Sequence, residues 1–296
     1  MSDPSQCLPL ELWRYVFGHL QLDDLVCFSA TCKSFSKHVC RYVLFQRRHL
    51  ASRFFRDPDK LFRILYACQA IISGSGALYL LQPLLATSWI PNDLDIYVSQ
   101  DNLHLLLAAL SIEGYGEVQS SPVRVKSYLW PHFHSTVTLT RAEQTIDVVV
   151  STTSTGIFPI FHFHSTLLMN FVTHDSICCT YPHLTLRGLS LIHPFSAHNT
   201  ILNRASIDAL LKYHHRGFVY LTCYHIDGHC RSSKHTTRKL TDKSCMWVVT
   251  KSAPFAPHTR HDIYARLGIV NALWRCHAPN RFGTVNMEDN VYIKRS

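Results

Sequence analysis

Residues 71–98 read IISGSGALYLLQPLLATSWIPNDLDIYV, and the reading of this stretch decides how the rest of the chain is understood. Two isoleucines run into Ser73-Gly74-Ser75-Gly76, an apolar segment follows, and a turn at Pro91-Asn92 precedes Asp93 and Asp95. In an extended strand alternate side chains share a face. The spacing therefore aims Asp93 and Asp95 the same way, with Leu94 and Ile96 on the other side. Adjacent carboxylates repel, and a hard cation that takes oxygen ligands is a common compensation. Residues 70–73 are expected to form a short strand. Residues 74–76 then make a tight strand-to-helix turn whose backbone N–H groups can meet a phosphate. Taken alone, such a Gly/Ser run marks any turn.

The bulk of the chain sets outer bounds. Its 296 residues are 47% hydrophobic and 17% charged, enough for one large domain or two small ones with real cores. No run of about 20 apolar residues occurs, so no membrane-spanning helix is expected. The polar start, MSDPSQC, does not read as a signal peptide. Eleven scattered cysteines point to free thiols in a reducing compartment, which places the chain in the cytoplasm, the nucleus or both. The formal charge of +9 is uneven, and residues 217–296 hold 12 Lys/Arg against 5 Asp/Glu. That excess suits a solvated, flexible end, or else an acidic or nucleic-acid partner.

Toward the N-terminus, Leu8-Pro9-Leu10-Glu11-Leu12 suits a helix start: proline is tolerated in the first turn and Glu11 complements the dipole. Leu12, Val16, Phe17 and Leu20 share one helical face. Asp23 or Asp24 is expected to cap a second helix carrying Leu25, Val26 and Phe28, and Thr31 a third carrying Phe35, Val39, Val43 and Leu44. Three short helices bury little surface alone, so the unit leans on a partner. Leu8-Pro9, Glu11-Leu12, Val16-Phe17, Leu20, Asp24-Leu25, Ser29, Cys32-Lys33 and Phe35 together resemble the F-box family. The resemblance implies binding to the Skp-type adaptor of a cullin-RING ubiquitin ligase. Leu8, Pro9, Val16, Phe17 and Leu20 would then form much of the contact. Residues 1–50 are assigned to this module and residues 51–60 to a linker.

Downstream, Asp57-Pro58-Asp59 reads as a break and cap, and Leu61, Phe62, Leu65, Tyr66 and Cys68 follow at helical spacing. Beyond the aspartate pair, residues 102–112 form an apolar helix ended by Gly114 and Gly116. Residues 137–140 and 145–150 read as strands about a polar turn at 141–144. Asp147 is then a lone charge inside an apolar strand, which is costly unless it is paired or bound to a metal. Gly74-Ser75, Asp93-Leu94-Asp95 and Asp147, in that order, resemble the nucleotidyltransferase superfamily of the polymerase-beta type. The long interval from Ser75 to Asp93 is similar to the minimal, toxin-type branch, where a helix intervenes. This resemblance implies a mixed sheet flanked by helices over residues 61–216, with Asp93, Asp95 and Asp147 as catalytic residues and Mg²⁺ ligands. Gly74 and Ser75 would contact the nucleotide, and the metal would align an NTP for in-line transfer to a hydroxyl. A reading without metal makes Asp93 a turn cap and Asp95 a solvent-facing strand residue, and explains Asp147 poorly.

Later in this region residues 161–165 alternate, so His162 and His164 are expected on one face, satisfied by the fold rather than ligating. Residues 165–173 read as an apolar helix or strand, and 177–181 and 184–192 as strands split by Pro182. A helix over 205–213 ends at Gly217. Lys212 and Arg216, four apart on one face, suit the negative end of that helix; meeting a triphosphate is the less favoured alternative.

Residues 217–296 form a basic Cys/His tail. Cys223, Cys230, His235 and Cys245 could make a tetrahedral zinc site, although no C-x2-C pair is present. No aromatic interleaves with Arg231, Lys234, Arg238, Lys239 and Lys243, so a base-stacking surface is not indicated and nucleic acid stays an unsupported partner. Residues 246–250 read as a strand and 262–274 as an amphipathic helix. The expected fold class is α+β: a three-helix F-box, a nucleotidyltransferase-like sheet flanked by helices, and the tail. The expected function is a ubiquitin-ligase substrate receptor. The alternative is an Mg²⁺-dependent enzyme moving a nucleotide from an NTP to a hydroxyl, with the F-box controlling its placement or turnover.

Overall fold

A computed structural model describes residues 8–117, 133–192, 204–221, 238–250, 271–274 and 291–294. It begins with α1 (Leu10–Phe17), α2 (Leu22–Thr31) and α3 (Lys33–Ser52). Trp13 and Phe17 turn inward from α1 onto an aromatic cluster. The Trp13 ring lies 5.2 Å from that of Phe35, and the Phe17 ring 5.6 Å from those of Phe28 and Tyr42. Edge-on and offset ring pairs of this kind add to simple burial. The expected caps differ in detail. Gln21 precedes α2 without a side-chain cap, and Asp23 and Asp24 sit inside its first turn, where they favour the helix dipole. Cys32 caps α3, its Sγ accepting from the Phe35 N–H at 3.4 Å. Thr31 instead closes α2, its hydroxyl donating to the Phe28 carbonyl at 2.8 Å.

Helix α3 has 20 residues, and its second half is buried among Tyr42, Val43, Arg47, Leu50 and Ala51. The segment expected as a linker is therefore packed. Phe54 and Phe55 are buried. The Phe54 carbonyl accepts from the Tyr115 hydroxyl and from Arg141 Nη2, both at 2.5 Å. Asp57 then caps α4 (Pro58–Ala67), accepting from the Asp59 N–H at 3.0 Å.

Next come β1 (Ile71–Ile72), α5 (Gly74–Leu81), β2 (Asp93–Ser99), α6 (Leu103–Ile112), β3 (Gly116–Glu117), β4 (Phe133–Arg141) and β5 (Gln144–Ser151). A 3₁₀ turn at Phe158–His162 follows. His162 is half-buried and His164 buried, so the two do not share a strand face. Residues 165–173 divide into a second 3₁₀ turn, Thr166–Leu168, and β6 (Asn170–Val172). After β7 (Ser176–Cys179), Pro182 opens the short helix α7 (Pro182–Thr185), a position where its missing N–H costs nothing. Only β8 (Leu189–Leu191) is left of the second expected strand. Helix α8 (Arg204–His215) ends at Gly217, whose φ of +91° suits glycine. Then come β9 (Val219–Leu221), β10 (Arg238–Lys239), β11 (Met246–Val249), β12 (Asn271–Trp274) and β13 (Val291–Lys294). The end of the expected helix at 262–274 is thus a strand, paired with β10 and β13; residues 262–270 lie outside the described residues.

One eight-stranded mixed sheet organises the centre, in the order β11-β7-β6-β1-β2-β5-β4-β3. Within it β2 and β5 run parallel and every other neighbouring pair is antiparallel. Strand β11, from the region read as tail, forms an edge against β7. The N-terminal helices and this sheet share one hydrophobic core, from Trp13 and Phe17 through Leu50 and Leu61 to Leu94 and Val148. Arg47 joins the two. It is 2% exposed, stacks 4.2 Å over the Phe62 ring, and donates to the carbonyls of Thr173 and His174 and to the Thr250 hydroxyl. Among the described residues no helix is long and apolar enough to cross a membrane.

Candidate functional site

Strand pairing brings three carboxylates together. In the parallel β2–β5 register Asp95 lies beside Asp147, and Asp93 is two residues earlier on the same strand. The alternate residues Leu94, Ile96, Ile146 and Val148 are fully buried and anchor both strands in the core. The oxygens of Asp93, Asp95 and Asp147 all lie within 4.8 Å of one another. Asp147 is buried and Asp93 and Asp95 are half-buried. On β4, Thr138 pairs in register with Asp147 and its hydroxyl donates to Asp147 Oδ1 at 2.6 Å.

The turn before α5 is shaped around these groups. Gly74 has φ +61°, and a Cβ there would run into the Asp95 carboxylate, so glycine is required twice over. The Ser73 N–H donates to the Asp95 carbonyl at 3.1 Å, and the Ser73 hydroxyl to the Asn170 carbonyl at 2.6 Å. Ser75 Oγ stands 3.5 Å from Asp93 Oδ1. The amino end of α5 thus faces the acidic trio, where its dipole offsets part of the repulsion.

Arg216 is flanked by Trp89 and Tyr213, two residues that sequence reasoning missed. The Arg216 guanidinium lies 4.1 Å over Trp89 and 5.2 Å over Tyr213. Burial lowers the Arg216 pKa, against the opposing pull of Tyr213 and Asp93. Burial also raises the Tyr213 phenol, reinforced by the charges of Asp95 and Asp93. Tyr213 and Arg216 thus feel the charge of the aspartates. The one sequence signal for them was the Lys212/Arg216 spacing; nothing local marked Trp89 or Tyr213.

The residues expected to meet the adaptor divide. Leu8 (37% exposed), Pro9 and Val16 (39% exposed) lie on the surface, together with Leu12 and Tyr15. Leu20 is half-buried against the core, and Phe17, 1% exposed, belongs to it. Phe17 therefore lies in the core and not on this exposed surface. Of the expected zinc ligands, Cys223, Cys230 and His235 lie outside the described residues. Cys245 is buried, its Sγ 3.4 Å from the Lys239 carbonyl and 3.6 Å from Arg238 Nη2.

The family model of the F-box domain matches residues 5–47, which are therefore an F-box domain, a module with an adaptor- and substrate-binding role in ubiquitin ligases. Comparison with curated proteins and with solved structures finds no match.

Proposed function

We propose that this chain is a substrate receptor of a cullin-RING ubiquitin ligase, docking a Skp-type adaptor through α1 and presenting its α+β domain to a target or ligand. The F-box match at residues 5–47 carries this reading. The outward face of α1, with Leu12, Tyr15 and Val16 in solvent, and Leu8 just before it supply an apolar surface for a partner. In a pull-down with a Skp-type adaptor, Leu8→Ala/Pro9→Ala is expected to lose most recovery. Equal recovery of variant and wild type would overturn the reading.

The converging carboxylates favour a second reading, a nucleotidyltransferase-like fold with Mg²⁺-dependent nucleotide transfer to a hydroxyl. The donor set fits the ion: three hard oxygen ligands lie within 4.8 Å of one another, and Thr138 holds one of them in place. Asp93, Asp95 and Asp147 would hold Mg²⁺, which supplies charge neutralisation and a lowered pKa for an attacking hydroxyl. Gly74 and Ser75 would border the nucleotide phosphates at the amino end of α5. The test is incubation with Mg²⁺ and labelled NTPs, wild type against Asp93→Ala/Asp95→Ala. Binding or turnover in the wild type alone supports the enzyme; neither in the wild type leaves the receptor reading.

A further inference from the structure

We propose that the surface which docks the Skp-type adaptor does not end with the F-box but continues onto Leu85 of the central domain, so that the adaptor covers α1 and Leu85 together. This rests on the receptor reading above and adds to it a contact from outside the F-box.

Leu85 lies in the segment 82–92 that joins α5 to β2. A tight turn opens that segment. The Ala86 N–H donates to the Pro83 carbonyl at 3.2 Å, and the Thr87 hydroxyl donates to the same carbonyl at 2.7 Å. The turn divides two neighbouring leucines. Leu84 packs against the core that the F-box helices share with the sheet, whereas Leu85 stays 49% exposed. The Leu85 N–H donates to the Gly18 carbonyl at 2.9 Å, which seats Leu85 against the residue that follows α1. The approach is close: a Cβ at Gly18 would stand 2.7 Å from Leu85 Cγ and Cδ1, and Gly18 is buried. An apolar side chain of the central domain thus rests on the end of α1 with half its surface in water.

Helix geometry joins this side chain to the exposed face of α1. Gly18 follows Tyr15 by three residues, its N–H donating to the Tyr15 carbonyl at 3.1 Å, and residues three apart on a helix are neighbours. Tyr15 is 62% exposed, and Leu12, three residues before it, is 49% exposed. Apolar surface therefore runs from Leu12 through Tyr15 to Leu85, across the boundary between the F-box and the central domain. Contiguous apolar surface of this kind marks an interface. Its continuity names the occupant, because a partner that covers Leu12 and Tyr15 meets Leu85 within a turn.

The test is calorimetry of the full chain with a purified Skp-type adaptor. Leu85→Ala should bind about three- to tenfold more weakly, the worth of half a leucine side chain removed from water. Leu85→Glu should lose about tenfold or more, because the adaptor would have to cover a charge. Leu85→Met, which keeps volume and apolar surface, should stay within about twofold of the wild type. Denaturation midpoints guard against a misfolded variant, and the alanine and methionine variants decide the matter if the glutamate variant unfolds. Ile112→Glu is the control. Ile112 is 77% exposed but adjoins Glu113, which pairs with Lys60 of α4, and its variant should bind like the wild type. If Leu85→Glu and Leu85→Ala bind like the wild type while Leu8→Ala/Pro9→Ala does not, the extension to Leu85 is overturned and the F-box contact stands. An equal loss in Ile112→Glu would overturn it too. So would a wild-type dimer in ultracentrifugation that Leu85→Glu splits without changing adaptor affinity, since the surface then serves a second copy of the chain. If the wild type binds no adaptor, the receptor reading fails and takes this proposal with it.

Discussion

The F-box and the acidic site are built in opposite ways. The F-box lies within one short run of chain, and its helices follow from neighbours three and four residues apart. The acidic site draws on the turn at Gly74, on β2 and on Asp147 in β5. A local module announces itself in sequence, whereas a site assembled across a sheet does so only in fragments. Yet the two regions are not separate bodies. Arg47 belongs to an F-box helix but spends its hydrogen bonds on Thr173, His174 and Thr250 of the central domain. The Gly18 carbonyl likewise accepts from the Leu85 N–H at 2.9 Å, and Leu50 packs toward Gly76 on α5.

The sharpest way to break this picture is Arg47→Ala. Removing a buried, hydrogen-bonded cation leaves the carbonyls of Thr173 and His174 without this donor and takes a positive charge from the neighbourhood of Asp175, a loss of about 3–5 kcal/mol. Chemical denaturation should show one transition shifted as a whole. A central domain that unfolds separately and at its normal midpoint would show two independent bodies.

The next effect reads a buried histidine of the central domain. His164 has a folded pKa near 4, depressed by burial from 6.5. Its stabilising neutral burial is full above pH 6.5 and is lost as pH falls through 6.5 toward 4, because the unfolded chain takes the proton first. The shift corresponds to about 3 kcal/mol. Denaturation midpoints from pH 7 to pH 4 should slope downward in the wild type and flatten in His164→Gln. Asp175 acts lower in the scale: burial raises its pKa, but His174, Thr173 and Ser176 outweigh this and hold it below the ordinary carboxylate range. Its contribution is present above the usual carboxylate pKa and lost below it, so a residual acid slope should survive in His164→Gln.

Gly74→Ala should cost about 1–2 kcal/mol from the left-handed backbone alone. It should also weaken Mg²⁺ binding, because the new methyl displaces the Asp95 carboxylate. The smallest effect has the opposite sign. Asp93→Asn removes one of three crowded negative charges and should raise metal-free stability by about 1 kcal/mol or less while weakening Mg²⁺ binding. Lower metal-free stability in Asp93→Asn would show that the trio is a compensated structural cluster.

Much of the acidic site was legible as parts. The alternation of Asp93 and Asp95 and the lone charge at Asp147 were visible because each depends on one strand. Arg216 was visible only as half of a Lys/Arg spacing that suited a helix end equally well. Trp89 and Tyr213 had no local mark, because their place beside Arg216 is set by the tertiary fold.

By itself, then, the amino-acid sequence determined the F-box helices, the turn at Gly74, the shared face of Asp93 and Asp95, the β4–β5 hairpin and the helix stop at Gly217. Each rests on steric and periodic rules acting within a turn or strand. The tertiary structure decided that Phe17 faces inward, that α3 runs on and drives Arg47 into the core, and that β11 closes the sheet edge. It also decided that β2 and β5 pair in parallel with Asp95 beside Asp147. Register between distant strands depends on which apolar faces remain to be buried together. A slip of one residue would turn Asp147 to the other face, and no local pattern forbids that slip until the core is packed.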